Sequence, residues 1–416
     1  MRDEQKTHDR IYGKCLIAAR GTLRFVTALA VIVLAVATQS AQAQTYTVLY
    51  SFQGMPDGDT PYAGVVQDKA GNLYGTTEDG GNYKKINHCN SGCGTVFKLD
   101  PSGQETILHN FSVAQGDHNG QNPEAGLVLD SSGNLYGTDG RGCNDCQGNI
   151  FKLQPDGTFK VLHRFKNAWG FPEALIRDKA GNLYGTVSGG QQGLIFKLDK
   201  TKKYTVLYVF TCGADGCSPT SGLVRDSAGN LYGTTESGGA YDQGVVFKLD
   251  PTGTLTVLHS FNGTDGKWPN GSLVRTANGT LYGTTSSGGD PNCHGGSGCG
   301  TVFKLRSDGT FQVLHTFGGD DGDGPMAGLV RDKAGNLYGT ASEGGDYNCS
   351  FYGCGLVFKV DAAGRYSVVH TFEGGDGNSP YAGLMLDSTG TLYGTTAAGG
   401  AGGAYGPGVV FKITSQ

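Results

Sequence analysis

The chain has 416 residues, of which 72 are glycine and only 13 proline, and its 20 tyrosines and 19 phenylalanines are too many for a disordered glycine-rich linker. No G-X-Y period runs through it, which excludes collagen. The formal net charge is −5, and beyond residue 43 there are 26 Lys/Arg against 34 Asp/Glu, so nothing marks a surface for DNA, RNA or an anionic membrane.

In chain order, the first feature is an apolar run over residues 25–37, preceded by Arg20 and Arg24 and followed by an A-x-A pattern at Ala41 and Ala43. Thirteen apolar residues are too few to cross a bilayer comfortably. The run predicts a secretory signal peptide over 1–43 and a mature product, 44–416, that is secreted or periplasmic and free of the membrane after cleavage. A retained membrane anchor is the other reading of the same run.

The mature sequence then opens on YTVLYSF (46–52), a strand-like segment that matches the fourth strand of a unit repeated down the chain. L-Y-G-T occurs seven times, with its tyrosine at Tyr74, Tyr136, Tyr184, Tyr232, Tyr282, Tyr338 and Tyr393, and F-K follows each occurrence, from Phe97-Lys98 to Phe411-Lys412. A second phenylalanine recurs as a third signature at Phe52, Phe111, Phe165, Phe210, Phe261, Phe317 and Phe372. One unit, 221–261, contains four strand-like segments joined by Asp- and Gly-bearing turns, with no stretch periodic enough for a helix. The last unit ends on GVVFKI (408–413) and lacks its own fourth strand, which 46–52 supplies. The expected fold is therefore all-β, a seven-bladed β-propeller of four-stranded antiparallel blades, closed by the N-terminal strand completing the C-terminal blade.

The combination LYGTT-x-GG…G-x-VFK, with FxGxDGxxP between blades, resembles the Gloeobacter/Verrucomicrobium (GloVer) tandem-repeat family of exported bacterial proteins. The resemblance spans essentially all of 45–413. It implies a secreted propeller and no particular reaction.

Ten of the eleven cysteines form five local pairs: Cys89/Cys93, Cys143/Cys146, Cys212/Cys217, Cys293/Cys299 and Cys349/Cys354. An even set in the loops of an exported chain predicts disulfides; zinc is the rival reading, without a recurring histidine partner to support it. The strand-three lysines (Lys98 to Lys412) and strand-one aspartates (Asp68, Asp130 and their repeats) are expected near the hairpin ends as charged rims. His109, His163, His259, His315 and His370 share one strand-four position with Tyr50 and Tyr208, which predicts a packing role for that column.

The links between blades, such as GTDGKWP and GDDGDGP, must share a face with the long loops between strands two and three, because the hairpin turns occupy the other face. Loops on a rigid scaffold form a default binding surface. Trp169, Trp268, His294, Asp320, Asp321 and Asp323 are the candidate ligand-binding residues there. Calcium at Asp320, Asp321 and Asp323 is one reading of the carboxylate cluster, and an Asx turn explains the repeated D-G equally well. No other cofactor is expected. These features favour a monomeric binding or scaffold protein that recognises carbohydrate or protein on the long-loop face. The alternative is a propeller enzyme of lyase, lactonase or quinone-dependent dehydrogenase type, acting at the mouth of the central channel.

Overall fold

The repeated motifs build one blade at a time. The computed structural model describes residues 44–82, 89, 91–112, 120–140, 146–166, 170–189, 192–347 and 349–415. The unit Thr45–Thr414 is a ring of seven antiparallel sheets. In blade 4 the strands Val224–Arg225, Leu231–Thr235, Val245–Leu249 and Leu255–Ser260 follow one another outward from the axis in sequence order. Its first strand is only two residues long because Asp226 turns the chain back: its Oδ1 accepts the Asn230 N–H at 2.9 Å, and its Oδ2 accepts Asn230 Nδ2 at 2.8 Å and the Tyr232 hydroxyl at 3.0 Å. Asp68, Asp130, Asp178 and Asp332 repeat this clasp. The aspartates thus close turns rather than pair with the strand-three lysines. Four of those lysines, Lys152, Lys197, Lys304 and Lys359, lie over the tyrosine rings, with Lys152 Nζ 5.7 Å from the Tyr136 centroid.

Strand register explains why L-Y-G-T and V-F-K always occur together. Gly233 faces Phe247 across the strand pair, and a Cβ at Gly233 would stand 2.7 Å from the tip of that ring. The phenylalanine occupies the space that only glycine leaves. At every seam between blades this ring then meets, edge to face, the phenylalanine that closes strand four of the preceding blade. The seven pairs, from Phe111–Phe151 to Phe52–Phe97, have centroids 5.2–5.5 Å apart. Such pairs contribute about 0.5–1.5 kcal/mol each beyond area burial.

Blade 7 is assembled from both ends of this unit. Met385–Leu386, Leu392–Thr396 and Val409–Ser415 are joined by Gln44–Ser51 as the outer strand. The Phe52 N–H donates to the Gly408 carbonyl at 3.0 Å, and the Ala401 N–H donates to Ser51 Oγ at 2.7 Å. A second ring of contacts closes nearer the axis. The first threonine of each L-Y-G-T-x strand donates its hydroxyl to a backbone carbonyl of the next blade: Thr76 to Ala125, Thr138 to Glu173, Thr186 to Ser221, Thr234 to Pro269, Thr284 to Ala327, Thr340 to Ala382 and Thr395 to Ala63, at 2.8–3.4 Å. Blade 3 departs from the pattern, because Phe171–Pro172 adds a short fifth strand to its sheet.

Disulfides join Cys89 to Cys93, Cys212 to Cys217, Cys293 to Cys299 and Cys349 to Cys354, as expected. Cys146 differs from the expectation that every cysteine pair sits in a loop. Instead of lying in a loop, Cys146 opens the strand Cys146–Leu153. The physical reason is that strand four of blade 2 runs on to Lys166, so the backbone of Cys146 has a pairing partner there, across a register shift before Asn149. The expected disulfide partner, Cys143, lies outside the described residues, as do the signal segment 1–43 and Trp169, so the Cys143–Cys146 bridge is not among the four described. Among the described residues no helix is long and apolar enough to cross a membrane.

Candidate ligand site at the channel mouth

The links and long loops do share one face, and backbone bridges tie them together: Cys217 pairs with Ser237, Lys267 with Ser287, Asp323 with Glu343 and Asn378 with Ala398. The repeated link aspartate is consumed in holding this arrangement. His259, His315 and His370 place Nε2 2.8–3.0 Å from Asp265, Asp321 and Asp376, while Tyr50 and Tyr208 donate their hydroxyls to Asp57 and Asp215 at 2.9 Å. Each histidine of the column also stacks on an aromatic ring that begins strand four of the next blade. The pairs are His109–Phe159, His163–Tyr204, His259–Phe311, His315–Tyr366 and His370–Tyr46, with centroids 3.7–4.1 Å apart and planes within 8°. Tyrosine takes the position at the two seams where the neighbour is Leu255 or Glu105.

The candidate residues divide accordingly. Burial opposes ionisation of Asp321, but its hydrogen bonds with His315 and the Gly318 N–H hold the carboxyl below its usual range. Asp320 accepts the Tyr347 hydroxyl at 3.0 Å. Asp323 is buried and turned away from both, toward His294, whose Nδ1 lies 2.8 Å from Asp323 Oδ2. The three aspartates therefore serve three different partners. Trp268 is 40% exposed, lies under Lys267 Nζ at 4.6 Å, and has φ of +56°. The residue before the link proline is left-handed also at Thr60, Asn122, Ser218 and Ser379, where it is small and polar.

Sequence reasoning missed the residues on the other side of that proline. Aligned on it, the seven blades present Tyr62, Glu124, Glu173, Thr220, Asn270, Met326 and Tyr381 in turn around the mouth of the central channel. Tyr62 and Tyr381 stack at 5.1 Å, and the Thr220 hydroxyl donates to Asn270 Oδ1 at 3.1 Å. Between blades 1 and 3 a cavity of about 240 Å³ is lined by Glu78, Asn122, Glu124, Thr138, Phe171 and Glu173. Ser188 donates its hydroxyl to Glu173. Burial, with the charges of Glu124 and Glu236 added, pushes the Glu173 carboxyl up to about 7. Burial likewise raises Glu236. Phe171, 43% exposed, forms an aromatic wall. Four glutamates from blades 1 to 4 thus face one side of a mouth whose other side carries Asn270, Met326 and the tyrosine pair. The one available signal in the sequence was the post-proline column itself, read across blades rather than along the chain.

The family model for the Gloeobacter/Verrucomicrobia repeat matches residues 35–191 and 171–401. The chain belongs to this family. No curated protein matches it in sequence. Among solved structures it is similar to streptogramin B lyase, with a TM-score of 0.59 and 14% identity over 90% of this chain and 98% of the other. Virginiamycin B lyase from Staphylococcus aureus gives 0.59 and 12% over 89% and 99%. The extracellular domain of BT4673 from B. thetaiotaomicron gives 0.53 and 10%, covering 87% of this chain and 40% of that one. At these identities the likeness is one of fold.

Proposed function

We propose that the chain is an exported binding propeller that takes a carbohydrate at the mouth of its channel, between blades 1 and 3. The observation that carries this reading is the convergence of Glu78, Glu124 and Glu173 with Phe171 on one cavity, in a scaffold whose strands otherwise repeat. Carboxylates accept hydrogen bonds from sugar hydroxyls, and an aromatic face packs on the apolar side of a pyranose ring. The volume, about 240 Å³, suits a ligand smaller than a drug-sized molecule, such as one sugar unit at the end of a chain. Export is supported by the 25–37 apolar run and by the four disulfides, which persist in an oxidising compartment.

One observation favours a second reading, proton-transfer catalysis. A carboxyl that titrates at about 7 beside an open cavity is matched to general acid or base work near neutral pH. A glycan-binding screen on residues 44–416, followed by calorimetry on the best ligand with Phe171→Ala and Glu124→Gln, tests the binding reading. At least tenfold weaker binding by both variants, with unchanged melting, is the expected result. Turnover of the ligand that is lost in Glu173→Gln would move the conclusion to catalysis, and binding untouched by all three substitutions would remove the site from this mouth.

A further inference from the structure

A second cluster on the same face, at the seam of blades 5 and 6, shares no lining residue with that cavity. The bridge that joins link to long loop puts Cys217 opposite Ser237, Lys267 opposite Ser287 and Asn378 opposite Ala398, so those blades do not face one anion with another. Blade 6 places Asp323 opposite Glu343, with reciprocal N–H to carbonyl bonds of 3.0 Å holding the two residues side by side. A third group comes from the preceding blade. His294 opens a single 3-10 turn, His294–Gly296, directly after Cys293, and the Cys293–Cys299 disulfide anchors that turn. Its own backbone is left-handed, with φ of +51°, an uncommon conformation for a residue other than glycine. The Tyr352 ring lies 5.3 Å from the imidazole.

From this geometry we infer that His294, Asp323 and Glu343 form a site for a divalent transition-metal ion such as zinc. Their ligand atoms lie within 4.8 Å of one another. A tetrahedral ion with bonds of about 2.1 Å needs donors roughly 3.4 Å apart, so His294 Nδ1 and Asp323 Oδ2, now 2.8 Å apart, would open slightly to admit it, and a separation as wide as 4.8 Å would close by about 1.4 Å. One imidazole nitrogen with two carboxylates suits zinc, cobalt or manganese, whereas calcium takes oxygen ligands alone. Three protein ligands leave a position open, and the His294 side chain, 39% exposed, gives access from solvent. Cys293 and Cys299 also lie near Asp323, but their sulfurs are joined to each other and are not thiolate ligands. Burial raises both carboxyls above their usual range, the charge of Asp323 adding to the effect on Glu343. A bound cation would reverse that cost. Blade 1 provides a built-in control: Asp59 faces Asp79 across the corresponding bridge, and among the described residues no imidazole joins them.

The experiment is titration of metal-free 44–416 with zinc by calorimetry and with cobalt by visible absorption, using calcium as comparison. The expected result is one equivalent of zinc or cobalt bound, at least tenfold more weakly by His294→Ala and by Glu343→Gln, with Asp59→Asn unchanged and calcium ineffective. Melting curves without metal check that each variant is folded, and Glu343→Gln keeps the shape of the side chain. Absence of stoichiometric zinc binding would overturn the assignment. So would binding that survives both substitutions, or binding lost equally in Asp59→Asn.

Discussion

The outer seams and the channel mouth are built on the same sevenfold backbone but use it in opposite ways. At the seams, side chains follow one another across blades: histidine occurs where the next blade offers a ring, as in His315 on Tyr366, and tyrosine where it offers Leu255 or Glu105. Residue identity there is dictated by the neighbour. At the mouth, the backbone around the post-proline position is kept, since each threonine hydroxyl finds a carbonyl at the link proline or within two residues after it, while the post-proline side chain runs from Tyr62 through Glu173 to Met326. Substitution on an unchanged backbone signals chemistry rather than packing. The histidine column, expected from its exchange with Tyr50 and Tyr208 to serve packing, is structural, and the irregular column is where the ligand is sought.

The largest effect that would sharpen this contrast lies at the seam of blades 6 and 7. Tyr46 stacks on His370 at 3.8 Å and donates its hydroxyl to the Asp376 carbonyl at 2.6 Å. Removing residues 45–51 is expected to abolish cooperative unfolding by exposing the edge of Val409–Ser415. Tyr46→Ala alone is expected to lower stability by about 3 kcal/mol in urea titrations. An unchanged midpoint in both would show that the outer seams do not hold the ring.

The mouth is expected to respond to pH. Because Glu173 titrates at about 7 rather than at its usual 4.5, the native state holds more protons between those values, and stability falls as pH rises through that window. The loss is on the order of 1–3 kcal/mol by pH 8, and Glu173→Gln is expected to remove it. The link aspartates act in the other direction. Asp321 and Asp376, held below their usual range by their histidine partners despite burial, contribute stability that disappears as pH drops below about 4. Urea midpoints from pH 3 to 8 for the parent and Glu173→Gln would separate the two windows, and a slope retained by the variant would place the buried charge elsewhere.

The smallest effect concerns Trp268. Asparagine tolerates a φ of +56° better than tryptophan, while the contact with Lys267 is lost, so Trp268→Asn is expected to change stability by no more than about 1 kcal/mol. If the indole serves the ligand face, carbohydrate binding falls in this variant although melting does not. A large drop in melting temperature would make it a packing residue like those at the seams.

Blade count and four of the local cysteine pairs were legible because each rests on short-range spacing, and closure because the last unit lacks the fourth strand that 46–52 matches. Gly233 and Phe247 are partners in one hairpin, and Cys212 and Cys217 lie five residues apart. Cys146 shows the limit of that reasoning: spacing alone put it in a loop, whereas the length of the neighbouring strand, which reaches Lys166, makes it part of the sheet. The cavity was not legible, because Glu78, Glu124 and Glu173 are separated by roughly one blade each and meet only after the ring forms. The triple aspartate cluster was legible as a cluster, but the directions of its side chains were not. Three adjacent carboxylates at a bend point in different directions, and Asp320, Asp321 and Asp323 end on Tyr347, His315 and His294 respectively. Glu343, which completes the blade 6 group, sits twenty residues beyond Asp323, on the far side of the strands Val330–Arg331 and Leu337–Ala341.

The joining of Gln44–Ser51 to Val409–Ser415 makes the molecule circular in space though linear in sequence. Ser51 meets Ala401 across 350 positions, and bringing ends so far apart together costs about 5 kcal/mol of loop entropy before the contact returns anything. Six blades can condense from local hairpins, but the seventh must wait for the first strand to find the last. Folding is thus expected to finish with a slow zipping step. Once that step is done, the original ends hold no privileged place: joining them with a short linker and cutting the chain at an exposed hairpin, such as 251–253, gives a permuted protein expected to form the same ring with its final step moved to another blade.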